Sequence, residues 1–453
     1  MRDRVYIGCG AGFAEDRWDG AIPVVDTLSR KDGPCYLTFE MLAVRTMALA
    51  QLRRLENPDH GYVPDIARFL RSIIGPCLEH SIPIVGNFGA ANPRGAAAVV
   101  RRLASELGID RLRIAIVEGD NLMDGSDNQL TSLPGLQDLG PDYRNKVVSA
   151  NVYLGAKPIA QAIAENADVV ITGRVADSAL VLAPLVHEFQ WDWRDWDLMA
   201  AGSLVGHLLE CGAQISGGYF ADPGVKDVSD LANVGFPIAE VDRKGEVVVG
   251  KAENTGGIVS EQTVKEQLLY EVMDPSEYIM PDVVVDLSEV SIAQEGRNRV
   301  RVRGAKGRER PEKLKAIIGL KGGWLGEGEI SYAGANAFAR ARLAVNVLRE
   351  RIAHLYPELE VHTNIIGHSS VFSSDKPSVF DDVACQARDL RVRIALQSLE
   401  RSLVEDALRE VDALQVNGPA GGGGVRCNIR RRLGTASAFV DRSFVRPNVS
   451  LVD

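Results

Sequence analysis

The sequence predicts an α/β protein with a Rossmann-like, mainly parallel sheet, a β-rich subdomain and a C-terminal ferredoxin-like α+β unit. Three observations support this class. Short apolar segments typical of buried strands alternate with amphipathic helices up to about Gly224. Hairpin patterns replace them from Gly235 onward. A β-α-β-β-α-β order, that of the ferredoxin-like motif, begins at Lys313. We therefore expect domains at 1–224, 225–312 and 313–453.

Composition narrows the class of protein. Of the 453 residues, 45% are hydrophobic and 25% are charged, as in ordinary globular proteins. The net charge of −10 argues against a nucleic-acid partner. No apolar run is long enough to span a membrane, and the first residues lack a signal-peptide pattern. The six cysteines form no CxxC pair, so we expect a reduced cytoplasmic protein without a structural zinc site.

The first predicted strand, Arg4–Ile7, leads into a glycine-rich stretch around Gly10. Phe13 stands where a dinucleotide-binding fingerprint has its third glycine, so the pattern does not indicate a nicotinamide cofactor. Glycines at this position would still let a ligand approach the backbone closely. Gly10 is therefore a candidate substrate-binding residue.

Polar residues follow the next two predicted strands. Glu40 comes directly after Cys35–Phe39, and Asn87 comes shortly after Ile82–Val85. Glu40 could be a general acid or base, or only an acid favoured by the dipole of the following helix. Asn92 stands before Pro93, a pair typical of a helix N-cap, and free N–H groups at that helix end would suit a phosphate or carboxylate.

Two further strand ends carry charged residues. Glu118 and Asp120 follow the strand Arg111–Val117 and could do acid–base chemistry, hold a metal or form a turn. Arg174 and Asp177 follow the strand Asp168–Thr172, where Asp177 or Ser178 could cap the next helix. Because parallel strands bring their carboxyl ends to one edge of a sheet, we expect one pocket there. Its predicted members are Gly10, Glu40, Asn87, Asn92, Asp120, Arg174 and Asp177.

Two candidate residues lie outside these strand ends. His207 and Glu210 share one face of the predicted helix Leu198–Cys211. They could bind a metal, form a buried hydrogen bond or act as an acid–base pair. Asn254 lies between the two predicted hairpins and is a further candidate for substrate binding.

The C-terminal part has a separate pattern. Its predicted elements are the strand Lys313–Leu320, the helix Ala333–Ile352, the strands Leu359–Ile366 and Leu390–Leu396, the helix Leu399–Arg409 and the strand Val411–Val416. The glycine-rich stretch 418–424 then suggests binding or an oligomer contact. Since symmetric assembly is common for such units, we expect a homo-oligomer.

Several motifs together resemble the acyclic terpene utilisation (AtuA) family. They are IGCGAGFAEDR, LTFEMLAVRT, GAANP with EGDN, NVYLGAKPI with ITGRVADSALVLAPLVHEFQW, GHLLECGAQISGG, NTGGIVSEQTVKEQLLYEVMDP and VNGPAGGGG. The resemblance covers the chain from Ile7 to about Pro447. It implies a role connected with degradation of citronellol- and geraniol-like compounds through acyl-CoA intermediates. It also implies a C-terminal ferredoxin-like part, as in some family members.

The leading functional hypothesis is an enzyme acting on a small carboxylate or an acyl-CoA thioester, of hydratase, dehydratase or C–C lyase type. Glu40 or Asp177 would be the base, His207 the acid and Arg174 an anion clamp. No cofactor is expected beyond CoA as part of the substrate. One alternative is a hydrolase with Cys9 or Ser178 as nucleophile. Another is a non-catalytic subunit of an acyl-CoA-processing assembly. The chain has no biotinyl motif and no P-loop.

Overall fold

The computed structural model describes residues 3–124, 143–370 and 387–452. Its strands, in chain order, are β1 (Arg4–Ala11), β2 (Cys35–Phe39), β3 (Ile84–Gly86), β4 (Ile114–Glu118), β5 (Val147–Val152), β6 (Val169–Thr172), β7 (Pro237–Asp242), β8 (Val247–Lys251), β9 (Tyr278–Ile279), β10 (Val284–Asp286), β11 (Ser291–Gly296), β12 (Arg299–Arg303), β13 (Lys306–Arg308), β14 (Lys313–Ala333), β15 (Glu360–Ile366), β16 (Asp389–Ser398), β17 (Gly422–Asp441) and β18 (Asn448–Val452). The α-helices are α1 (Ala21–Leu28), α2 (Val44–Glu56), α3 (Ile66–Arg71), α4 (Ile74–Glu79), α5 (Pro93–Glu106), α6 (Tyr143–Lys146), α7 (Lys157–Ala164), α8 (Ala179–Phe189), α9 (Trp196–Leu209), α10 (Glu261–Leu269), α11 (Ala337–Leu355) and α12 (Arg401–Asn417).

A ten-stranded mixed sheet organises the larger part of the protein. Its strand order is β11-β12-β8-β7-β1-β2-β3-β6-β4-β18. The five central strands, from β1 to β4 in this order, are parallel to their neighbours. β7 and β18 join the two sides of this centre in antiparallel orientation. The architecture is therefore mixed α/β, and the carboxyl ends of the parallel strands share one edge.

The chain separates into two compact units that differ from the predicted domain boundaries. Unit 1 comprises residues 1–319 and 435–453, and unit 2 comprises residues 320–434. The hairpins expected as a subdomain at 225–312 extend the main sheet, because β7 pairs with β1 and with β8, and β12 pairs with β8. A three-stranded sheet, β13-β10-β9, is the other part of that segment.

In unit 2, two helices form a layer on a sheet whose strand order is β15-β16-β14-β17. Every second residue of β16, including Val392 and Ile394, is buried in a core shared with α11 and α12. The order β14-α11-β15-β16-α12-β17 follows the predicted succession of strands and helices. The predicted strand Val411–Val416 is wrong, because this segment continues α12. Val411 and Leu414 are buried three residues apart on one helix face, and the last strand begins later, at Gly422.

The two strands that flank α7 lie in different sheets. β5 pairs with β14, whereas β6 lies between β3 and β4. The N–H of Tyr153 extends the pairing of β5 with β14 by donating to the Lys315 carbonyl at 2.9 Å.

None of the described helices has the length and apolar character needed to cross a bilayer.

Candidate active site

A cavity of about 600 Å³ opens at the carboxyl edge of the parallel strands. Glu40 lines it directly after β2, and Asp177 lines it from the loop between β6 and α8. Glu210 closes another wall at the end of α9, and Glu271 follows α10. This volume is within the range of cavities that bind small molecules.

Glu40 is held in place by the neighbouring strand end. Its Oε1 accepts the Leu42 N–H and the Asn87 Nδ2–H, each at 2.8 Å. Asn87 is fully buried, and its Oδ1 accepts the Met41 N–H at 2.6 Å. Asn87 therefore fixes both the Glu40 carboxyl group and the backbone that follows it.

Glu40 has an unusual acidity. Burial raises its pKa to about 8, and the nearby Asp177 charge acts in the same direction. Arg174 and the donors from Asn87 and Leu42 oppose this shift. Because those two donors both bind Oε1, the proton of the acid belongs on Oε2. The Glu40 carboxyl group is thus mainly protonated at neutral pH.

Arg174 lies behind the cavity wall. Its side chain is 1% exposed, and it is not among the described lining residues. Nη1 donates to the Leu42 carbonyl, while Nε and Nη2 donate to the Val175 carbonyl at 2.9 and 2.6 Å. Nη2 also binds Oδ1 of Asp177. This placement differs from the expected anion clamp, since the guanidinium is engaged with protein groups.

Asp177 faces the cavity as the partner of that buried cation. Its side chain is 33% exposed. The expected capping role is wrong, because α8 starts after Ser178 without a side-chain cap hydrogen bond. Asp177 therefore presents a carboxylate to the cavity, and the Arg174 guanidinium orients it from behind.

Asp120 supports the same loop from below. It is 4% exposed and accepts hydrogen bonds from Asn151 Nδ2 at 2.8 Å and from the Arg174 N–H at 3.0 Å. Burial raises its pKa to about 6. A Cβ on Gly173 would lie 2.5 Å from the Asp120 carboxylate, so the loop requires glycine there. Asp120 shapes the site without lining the cavity.

His207 likewise does not line the cavity but lies behind the residues that do. It is 1% exposed, with Nδ1 3.1 Å from Glu210 Oε1 and Nε2 3.1 Å from the Leu268 carbonyl oxygen. Because a carbonyl only accepts, Nε2 carries a hydrogen. Nδ1 faces both Glu210 and the Tyr278 hydroxyl, which lies 3.3 Å away. Burial tends to lower the pKa of His207, but Glu210 and the Leu268 carbonyl raise it overall. Burial raises the pKa of Glu210. The group that faces the cavity is therefore Glu210.

The cavity floor is acidic, a feature that the sequence pattern did not indicate. Asp16, Glu210 and Glu271 join Glu40 and Asp177 in the lining, and none of the described lining residues is Lys, Arg or His. Asp16 accepts the N–H groups of Gly12 at 3.0 Å and Arg17 at 2.7 Å. Burial raises the pKa of Asp16, so its charge is also disfavoured. Glu210 was visible as the partner of His207, but nothing in the sequence placed Asp16 and Glu271 here.

Aromatic residues surround the mouth of the cavity. Phe13 is 48% exposed and Tyr219 is 88% exposed, and the Tyr219 ring meets Tyr270 edge-on at 6.4 Å. Tyr219 and Glu271 both have φ of +59°, which is unfavourable for residues with a Cβ. Strained backbone of this kind is common at ligand sites.

The remaining predicted residues lie elsewhere. Asn92 is the N-cap of α5, as expected, because its side chain accepts the Gly95 N–H at 3.0 Å. Gly10 is packed so closely that a Cβ would lie 2.5 Å from the Phe39 ring. Asn254 lines a different cavity. Cys9 and Ser178 are 1% and 2% exposed, and neither lines the site.

The described residues contain no evident metal site. Among them, no group of three or more His, Cys, Asp or Glu side chains is arranged to hold a metal ion. Cys385, one of the six cysteines, lies outside the described residues.

The sequence model of the acyclic terpene utilisation family protein AtuA matches residues 5–451. No curated protein and no solved structure matches the chain significantly.

Proposed function

Since the chain belongs to the acyclic terpene utilisation family, we propose that it is an enzyme of acyclic small-molecule catabolism that adds or removes water by acid–base catalysis. The observation that carries this proposal is Glu40, a carboxyl group with pKa about 8, beside the Asp177 carboxylate in one cavity. A proton donor and a proton acceptor are thereby available together at neutral pH.

The two carboxyl groups have complementary roles. In a dehydration, Asp177 takes a proton from the carbon next to the acyl carbonyl. Glu40 gives its proton to the leaving hydroxyl group, the C–O bond breaks, and a C=C bond forms as water departs. Hydration is the reverse reaction. Exchange with solvent then returns the proton to Glu40 and removes it from Asp177.

The cavity lining supports a substrate whose reacting end is neutral. Five carboxyl groups and the lack of a cation among the described lining residues disfavour a free carboxylate. A thioester, as in an acyl-CoA, fits better, with its charged phosphates outside the cavity. The exposed rings of Phe13 and Tyr219 provide apolar area for an acyclic chain.

The alternative nucleophiles receive less support. Cys9 is buried, which raises the pKa of its thiol well above the usual value and disfavours the reactive thiolate. Ser178 is buried beneath the start of α8 and does not line the cavity.

Turnover by the purified chain alone tests the proposal. Branched enoyl-CoA and 3-hydroxyacyl-CoA thioesters would be supplied, and the change in enoyl absorbance followed. Glu118→Gln is the matched control, because Glu118 ends the parallel strand β4 but pairs with Arg94 outside the cavity. We expect Glu40→Gln to lose activity and Glu118→Gln to retain it. Activity that appears only with a partner protein would instead favour the non-catalytic subunit.

We also propose that unit 1 is Rossmann-like, unit 2 is ferredoxin-like, and the protein is a homo-oligomer. The parallel centre of the main sheet and the β-α-β-β-α-β order of unit 2 support the first two parts. Light scattering tests the third, and a mass near 49.1 kDa, that of one chain, would contradict it.

A further inference from the structure

A second cavity, of about 640 Å³, lies on unit 1 beside β7 and β8 and shares no lining residue with the candidate active site. Its wall is rich in cations: Lys31, Lys251, Arg297 and Arg299. The carboxylates in its lining are Glu240 and Glu253. An excess of positive charge is notable in a chain whose net charge is −10.

Both carboxylates of the lining are already shared between cations. Glu240 pairs with Arg299 at 3.1 Å and with Arg4. Glu253 pairs with Arg30 at 2.9 Å and with Lys31 at 3.6 Å. These groups therefore neutralise only part of the positive charge around the cavity.

Arg297 and Lys251 carry the remaining charge. No carboxylate of the described residues lies within ion-pair distance of Arg297 or Lys251. The Lys251 ammonium is held by hydrogen bonds to the carbonyl and Oγ1 of Thr255, at 2.7 and 3.0 Å. Burial lowers the pKa of Lys251, and the Arg297 charge lowers it further, while Asp230 acts against both. The two cations are thus close enough to repel each other.

We propose that this cavity binds the phosphate or diphosphate group of a small molecule. An anion with two or more negative charges would neutralise Arg297 and Lys251 together, which a single carboxylate would not. Arginine and lysine are the residues that most often bind phosphate oxygens. The cavity is larger than an inorganic ion requires, so the rest of a phosphorylated molecule fits beside the anion. Asn254, in the same lining, adds a neutral hydrogen-bonding group.

Calorimetric titration of the full chain with inorganic pyrophosphate tests this site without any enzyme assay. We expect binding by the unmodified protein and about tenfold or greater weakening in Arg297→Ala. Arg303→Ala is the matched control, because Arg303 lies on β12 of the same hairpin, pairs with Glu246 and does not line the cavity. Its affinity for pyrophosphate should change less than twofold. Arg297 is exposed, so its replacement should leave the melting temperature unchanged.

Three results would overturn the assignment. The first is an absence of pyrophosphate binding at millimolar concentration. The second is an equal loss of affinity in the Arg297 and Arg303 variants, which would indicate attraction by net charge alone. The third is citrate binding as tightly as pyrophosphate, because the cavity would then select charge rather than phosphate.

Discussion

Oε1 of Glu40 lies 3.9 Å from Nη2 of Arg174, so the buried cation acts on this carboxyl group through space rather than through a hydrogen bond. The same Nη2 hydrogen-bonds to Asp177. Arg174 therefore contacts Asp177 directly, whereas it opposes the rise in the pKa of Glu40 only from a distance. One guanidinium thus acts on two neighbouring carboxyl groups in different ways.

Replacing Glu40 with Gln should remove the proton donor. Because Gln keeps an oxygen that accepts from Asn87 and Leu42, the fold should be preserved. We expect turnover to fall about 100-fold or more, the usual contribution of a general acid. In the unmodified enzyme, kcat/KM should decline above about pH 8, where Glu40 loses its proton. A Glu40→Gln variant with normal turnover would exclude Glu40 from the chemistry.

Glu40 should also make stability depend on pH. Its pKa rises from 4.5 to about 8 on folding, so its favourable contribution is complete below pH 4.5 and is lost as the pH approaches 8. In Glu40→Gln this dependence is absent. We expect the variant to be more stable than the unmodified protein at pH 8, by on the order of 2–4 kcal/mol. Urea unfolding of both proteins at pH 5 and pH 8 measures the difference. The prediction is wrong if the free energy of unfolding changes equally between the two pH values in both proteins.

Asp177→Asn should remove the base and lower the pKa of the acid, Glu40. Without the Asp177 charge, ionisation of Glu40 becomes easier while Arg174 remains beside it. We expect lower turnover, and the alkaline limb of any residual kcat/KM profile should move to lower pH. Glu118→Gln serves as the control for charge removal elsewhere on the same sheet. An unshifted limb would show that the two carboxyl groups do not interact.

Arg174→Ala should lower the free energy of unfolding rather than weaken substrate binding directly. The change leaves Asp177 without its cation and the carbonyls of Leu42 and Val175 without donors. Loss of one partner of a fully buried pair costs about 3–5 kcal/mol, and the partial exposure of Asp177 makes the expected cost smaller than that. Arg174→Lys keeps the charge, but it cannot reproduce the planar set of hydrogen bonds, so its loss should be smaller. A raised KM with unchanged unfolding free energy would restore the role of anion clamp.

Replacing Tyr219 with Gly should make the fold more stable but weaken substrate binding. Its φ of +59° suits glycine, so Tyr219→Gly should stabilise the fold by about 1 kcal/mol, whereas Tyr219→Ala should not. Both variants lose an exposed ring at the cavity mouth and should raise KM several-fold. Met273→Ala, at a fully exposed residue outside the lining, is the control. If all three variants bind substrate equally well, the ring is not part of the site.

The parallel centre of the sheet could be predicted because apolar runs and turn residues are local signals. The positions of Glu40, Asn87 and Asp177 at strand ends followed from the same reasoning. Gly10 and Asn92 satisfied that reasoning equally, yet one packs against Phe39 and the other caps α5. A strand end specifies the edge of the sheet, whereas the direction of a side chain depends on residues distant in sequence.

The rest of the site required the tertiary structure. Asp16, Glu210 and Glu271 reach the cavity from segments whose positions are determined by packing rather than by local pattern. The hairpins could be predicted from alternating apolar and polar residues, but this alternation carries no information on which strand lies beside them. For the same reason, the segment 411–416 could be read as a strand although it continues a helix.

The antiparallel pairing of β18 with β4 has a consequence for how the protein is made. The paired residues Asn448 and Glu118 are more than 300 positions apart, so β4 emerges from the ribosome long before its outer neighbour exists. Ile116 and Val117 of β4 are fully buried in the finished fold. Until β18 is synthesised, this apolar edge can pair with other nascent chains. The growing polypeptide should therefore depend on chaperones until the edge is closed, and removal of β18 should yield an aggregating product.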